Sequence, residues 1–301
     1  MIITRRRFVQ SAIATSAAYG FAPFARADES LAKTAGLESV VDTHVYVGDW
    51  PHKSLANTSP KDLAAKLQDS NVSQAWVGNF DGLFHKDVGG GNRRLAEVCQ
   101  DHGKGVLVPF GTVNPTLPDW EEDVRRCHED LRMPGIRLHP QYHGYTLDDP
   151  RFASLLQLAA TSGLVVQLVA WMEDEKHRWL SPRQSEAELK PLRSVLAQVS
   201  NLKLVIANCR ASIDTLGLRE ASPKNQYYYD FGRLNNTSEL RKTATRRSAD
   251  RFVFGSGAPL HDAARTRLIL SNADLNADER TMIANRNATK LLDAATTSSR
   301  L

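Results

Sequence analysis

Residues 201–209 read Asn201-Leu202-Lys203-Leu204-Val205-Ile206-Ala207-Asn208-Cys209. The strand candidate here is Lys203–Ala207, whose unbroken apolar run Leu204–Ala207 fits a strand covered on both faces, as parallel strands flanked by helices are. Similar short runs recur along the chain at Val40–Val47, Gln74–Val77, Val106–Val113, Gly135–Leu138, Leu164–Val169, Tyr227–Phe231 and Phe252–Gly255. Longer amphipathic segments separate them, around 60–69, 91–102, 119–130, 151–162, 185–199, 212–220, 238–248 and 260–271. Ser59-Pro60 and Asp149-Pro150 place an N-cap side chain before a proline at the first helical position, where a missing N–H costs little. Eight such alternations predict a closed parallel (β/α)8 barrel, with a last helix near 277–292 capping it. An open doubly wound sheet is the competing arrangement, but the chain lacks the Gly-rich first turn of a nucleotide site.

The first 27 residues read as an address. Thr4-Arg5-Arg6-Arg7-Phe8-Val9-Gln10 has the form of a twin-arginine export signal, followed by an Ala- and Ser-rich stretch and the small-x-small sequence Ala25-Arg26-Ala27. Gly20 and Pro23 interrupt the apolar stretch, so a lasting membrane span is not expected. The expected location is therefore periplasmic or extracellular, with residues 28–301 forming one barrel domain. The chain carries 38 basic and 34 acidic residues, a net charge of +4. Arg5, Arg6, Arg7 and Arg26 account for that excess, and the remainder is balanced. Nothing in this balance points to nucleic acid or an anionic membrane as partner; a small molecule is expected, and a homo-oligomer is compatible. Cys99, Cys127 and Cys209 are odd in number and widely spaced, so neither a disulfide framework nor a zinc motif is expected. Gly89-Gly90-Gly91 lacks the Lys-Ser/Thr ending of a phosphate loop and reads as a flexible connection.

In such a barrel the site is built at the C-terminal ends of the strands. Asp42-Thr43-His44-Val45-Tyr46 resembles the Asp-x-His-x-His first-strand signature of the amidohydrolase-related, metal-dependent hydrolases. Gly135-Ile136-Arg137-Leu138-His139-Pro140 is similar to that family's fourth strand, Asn201–Cys209 to its sixth and Arg251–Pro259 to its eighth. The resemblance covers nearly all of residues 28–301 and implies a hydrolase in which histidines of strands one, five and six and an aspartate of strand eight hold an ion that activates water. Position by position, only His44 is kept. Tyr46, Val169, Asn208 and Gly257 stand where the resemblance places the second, third and fourth histidines and the aspartate. A catalytic zinc needs about three good protein ligands, so no metal is expected at the usual place, although a divalent ion such as Zn at a relocated site is compatible.

The strand ends offer other chemistry. His44, Arg137 and His139 are the expected catalytic groups, with Tyr46, Tyr142, His143, Glu173 and Asn208 lining the substrate. Arg137 suits a substrate carboxylate that its planar fork grips at two points, and histidines serve as general base and acid. Bland alternatives stand beside each: Arg137 paired with Asp42 or Asp230 inside the barrel, His44 as a satisfied core histidine, and the acidic run at 173–175 as a solvated loop. Three functions follow: a metal-independent hydrolase of a small carboxylate- or lactone-type molecule, a hydrolase with a relocated ion, and a binding barrel that performs no reaction.

Overall fold

The computed structural model describes residues 39–51, 54–56, 58–172, 186–209 and 217–298. The expected export signal and Glu173 lie outside the described residues. Eight parallel strands follow one another in spatial order β1 to β8: β1 Val40–Val47, β2 Val72–Asn79, β3 Leu107–Thr112, β4 Gly135–Leu138, β5 Val165–Val169, β6 Lys203–Ala207, β7 Gln226–Asp230 and β8 Phe252–Val253. The ring closes between β1 and the segment after β8, where Val45 bridges Ala258. Thr43 N donates to Phe254 O and Tyr46 N to Ala258 O, each at 2.8 Å, while Gly257 N donates to His44 O at 2.8 Å. The (β/α)8 barrel expected from the apolar runs is the fold observed.

Helices cover the outside. The two helices opening Ser59-Pro60 and Asp149-Pro150 start as the sequence predicts: Ser59 accepts from Asp62 N at 3.2 Å and Asp149 from Arg151 N at 2.9 Å. Three expectations need correction. The Gly89–Gly91 run is helical, because Asp87 caps Gly90 N at 2.9 Å and starts the helix Val88–His102 ahead of it. The segment 185–199 yields only the helix Leu192–Leu196, since Pro191 has no N–H and biases Lys190 away from helical geometry. The eighth strand stops at Val253, where Phe254 N turns to Ile283 O at 3.0 Å.

One end of the barrel is plugged by apolar groups. Val41, Trp76, Phe110, Val165, Val205, Tyr228 and Val253 fill the interior, with Trp76 stacked on Phe110 at a centroid distance of 4.7 Å. Ala288 and Leu291 of the last helix, Asn287–Ser298, seal that end, so the predicted cap is in place. All three cysteines are buried. Among the described residues no helix is long and apolar enough to cross a membrane.

Candidate active site

Residues two apart on a strand share a face, and this rule places His44 and Tyr46 of β1 inside the barrel mouth. His139 follows β4 directly. All three are buried, at 0, 0 and 1% exposure. They form one hydrogen-bonded line: Asp230 Oδ2 lies 3.1 Å from His44 Nδ1, His44 Nε2 lies 3.1 Å from the Tyr46 hydroxyl, and that hydroxyl lies 3.0 Å from His139 Nε2. Met172 Sδ sits 3.1 Å from the same hydroxyl as a weaker acceptor. With Asp230 a carboxylate, the protons are ordered. His44 Nδ1–H donates to Asp230, leaving His44 Nε2 bare. The Tyr46 O–H donates to that nitrogen, so the phenol oxygen accepts from His139 Nε2–H. The line then ends at His139 Nδ1, a buried lone pair with no hydrogen-bond partner among the described residues.

Burial sets the charge states. It lowers the affinity of His44 for a proton, opposed by the hydrogen bond and charge of Asp230, with Arg137 lowering it further. It holds His139 well below the usual histidine range, and His143, Arg137 and His44 add to the effect. The Tyr46 phenol is pushed up to about 12, again by burial first, although Arg137 pulls it down. At neutral pH the line therefore contains two neutral imidazoles and a phenol.

Arg137 lies under this line rather than in it. Its guanidinium carbon sits 4.6 Å from the centroid of the Tyr46 ring. Its Nε and Nη2 donate to Gln167 Oε1 at 2.9 and 2.7 Å, Nη1 donates to Val45 O at 2.8 Å, and Nη2 also reaches Trp76 O at 2.9 Å. Gln167 Nε2 in turn donates to Thr43 O. Arg137 is 0% exposed and its hydrogen-bond acceptors are all neutral. The anticipated pairing with Asp42 or Asp230 is not a hydrogen bond. A fork gripping substrate would first have to leave these oxygens.

The remaining sequence-derived residues surround the line. Asn208 follows β6 directly, with a left-handed φ of 53°. Its backbone N donates to Asp230 Oδ1 at 2.8 Å, and its Oδ1 is buried without a partner among the described residues. Tyr142 belongs to an aromatic cover with Trp50, Phe80 and Phe84; Tyr46 stacks on Phe80 at 4.9 Å and Trp50 meets Phe84 at 5.5 Å. His143 Nε2 lies 2.9 Å from Gly82 O, and its ring is 5.8 Å from His139. Glu173 lies outside the described residues. The group that sequence reasoning underrated is Asp230, weighed only as a partner for Arg137; its place at the end of a predicted strand was the available signal.

Asp42 is a second buried carboxyl. Burial pushes its pKa up to about 6, offset by hydrogen bonds from Ser256 and from His44 N, and raised further by the charge of Asp230. A carboxyl raised above its unfolded value near 3.8 contributes stability that is full below about pH 4 and is lost as pH rises through 6. Asn at this position keeps an oxygen for Ser256 N and His44 N, now 3.0 and 3.1 Å from Asp42 Oδ1. Asp42→Asn should therefore match the parent near pH 4 and exceed it by on the order of 2 kcal/mol at pH 8. Urea unfolding at the two pH values measures this, and an offset independent of pH would contradict it.

The donors do not match the ion that the sequence resemblance implies. Among the described residues no group of three or more His, Cys, Asp or Glu side chains comes together to hold one. Tyr46 is a neutral phenol already engaged on both sides. Gly257, at the position of the implied aspartate, has a φ of +73°, and a Cβ there would lie 2.6 Å from His261 Cδ2. An aspartate side chain cannot be added without moving that ring.

No curated protein matches this chain. Solved structures do. The chain is similar to 5-carboxyvanillate decarboxylase of Sphingomonas paucimobilis, with 13% identity, a TM-score of 0.65, and coverage of 85% of this chain and 99% of that one. The enzyme of the same name from Novosphingobium aromaticivorans, solved with manganese and 4-hydroxy-3-methoxy-5-nitrobenzoic acid, gives 13% identity, a TM-score of 0.65, and coverage of 86% and 97%. The 2,6-dihydroxybenzoate decarboxylase of Rhizobium gives 14% identity, a TM-score of 0.61, and coverage of 85% and 99%. At such identities the likeness concerns the fold. The family model described as Amidohydrolase matches residues 41–294, and the chain belongs to that family.

Proposed function

We propose that the chain is an acid–base enzyme of the amidohydrolase family that acts on a small carboxylate- or lactone-type molecule through the line Asp230–His44–Tyr46–His139, without the family's ion. The observation that carries this reading is the partnerless His139 Nδ1 at the end of the line. That nitrogen takes a proton from an attacking water or a substrate hydroxyl. The new imidazolium passes its Nε2 proton to the Tyr46 oxygen while Tyr46 passes its own to His44 Nε2. The positive charge then rests on His44, 3.1 Å from Asp230. Burial and three neighbours oppose charge on His139, whereas Asp230 favours it on His44, so the transfer runs toward the carboxylate. Returning the proton by the same path protonates the leaving group.

The carboxylate substrate class is supported by the acids named for the structural neighbours. The basic run at Arg5–Arg7 supports export and hence a substrate met outside the cytoplasm. The test is a turnover screen of small carboxylates and lactones with the metal-stripped protein. On whatever is consumed, His139→Ala should lower kcat by roughly 100- to 10,000-fold, the range of a single acid–base group. Full activity in His139→Ala would remove it from the reaction. The manganese in one neighbour favours a second reading, an ion held by residues other than these; activity that appears only when metal is restored would select it.

A further inference from the structure

His44 Nε2 and His139 Nε2 both approach a single point, at 3.1 and 3.0 Å, and the Tyr46 hydroxyl oxygen stands at that point. Behind His44, Nδ1 is held by the Asp230 carboxylate at 3.1 Å. Converging imidazoles with a carboxylate on the far nitrogen are the arrangement that orients histidines on an ion. Imidazole nitrogens bind zinc at about 2.0–2.1 Å, so each ring lies roughly 1 Å further back than an ion at this point would require. A hydroxyl needs the longer spacing, and its single proton and lone pairs satisfy one bare nitrogen and one N–H without bringing charge into a buried place.

We infer that the Tyr46 hydroxyl is a built-in replacement for a divalent cation, and that His44 and His139 form a latent ion site which this one side chain keeps closed. The inference shares residues with the proposed acid–base function and rests on it only in assigning the ordered line of hydrogen bonds. Restoring a ligand in place of the blocker should reopen the site. Tyr46→His supplies a third imidazole from the same strand position, and Tyr46→Asp supplies a smaller carboxylate ligand there.

The experiment is titration of the metal-stripped full chain with Co2+, followed by its absorption bands, and with Zn2+, followed by elemental analysis after desalting. The parent is expected to show no saturable uptake. Tyr46→His is expected to take up one equivalent at least about 100-fold more tightly than the parent and to lose it when His139→Ala or His44→Ala is added. If Tyr46→His does not fold, Tyr46→Asp decides alone: saturable uptake of one equivalent of Co2+ supports the inference, and no uptake overturns it. A parent protein that retains one equivalent of metal, released by His44→Ala or His139→Ala, also overturns it. None of these readouts requires a substrate, so they separate failure of the latent site from failure of the proposed reaction, which the His139→Ala turnover measures.

Discussion

Arg137→Met is expected to destabilise the barrel by about 4 kcal/mol or more, the largest stability effect of any single substitution near the site. Two effects oppose each other. Removing the guanidinium ends the cost of burying a cation, which is several kcal/mol, and methionine fills similar volume. Yet the partners stay behind. Gln167 Oε1 loses two donors, and the carbonyls of Val45 and Trp76 lose one each. Each polar group orphaned in a buried place costs about 1–3 kcal/mol. Those oxygens come from β1, β2 and β5, so the side chain rising from β4 ties four of the eight strands together across the interior. Deleting one member of such a set is the destabilising case, unlike replacing all members at once. A melting point lowered by about 8 °C or more is the expected reading for a domain of this size. Gln167→Met is the graded companion, because it leaves the charge and its backbone acceptors in place. A melting point for Arg137→Met within 2 °C of the parent would mean that the strut is unimportant.

That role for Arg137 shows where the sequence stops being informative. β1, β4 and β6 were legible to the residue, because their apolar runs are bounded by polar or turn-forming positions. The strand period also placed His44 with Tyr46, and Arg137 with His139, on shared faces. What period and composition cannot give is the partner across the barrel. His44 meets Asp230 across 186 positions, and Arg137 meets Val45 across 92. The sequence showed an arginine able to grip a carboxylate; only the register of four strands shows neutral oxygens surrounding it first. The same holds for Tyr46. At the position of an expected histidine it reads as the loss of a ligand, whereas in space it completes a hydrogen-bonded line that the ion would have interrupted. The shortened β8 has a local cause of the same kind, since Phe254 N is taken by Ile283 O and the chain leaves the ladder.

Asp230→Asn is expected to reduce turnover by roughly 10,000-fold while leaving the fold intact, by analogy with an aspartate that fixes the tautomer of a catalytic histidine. An asparagine oxygen can still accept from Asn208 N, now 2.8 Å from Asp230 Oδ1, so the β6–β7 end keeps its tie. The other end of the amide then presents N–H to His44 Nδ1. To accept it, His44 must move its proton to Nε2, which becomes a donor toward Tyr46. The Tyr46 oxygen now accepts from His44 and turns its own proton to His139 Nε2. His139 is left with its proton on Nδ1, and the lone pair proposed to begin the reaction is gone. One substitution thus reverses every hydrogen bond in the line without emptying any position, and it also removes the charge that stabilises His44 once protonated. The loss should fall on kcat, with KM little changed. Proton-coupled 15N spectra of labelled imidazoles should show His44 changing from the Nδ1–H to the Nε2–H form. A variant with reversed tautomers and undiminished turnover would place the chemistry elsewhere in the barrel mouth, whereas lost turnover with unchanged tautomers would assign Asp230 an electrostatic role alone.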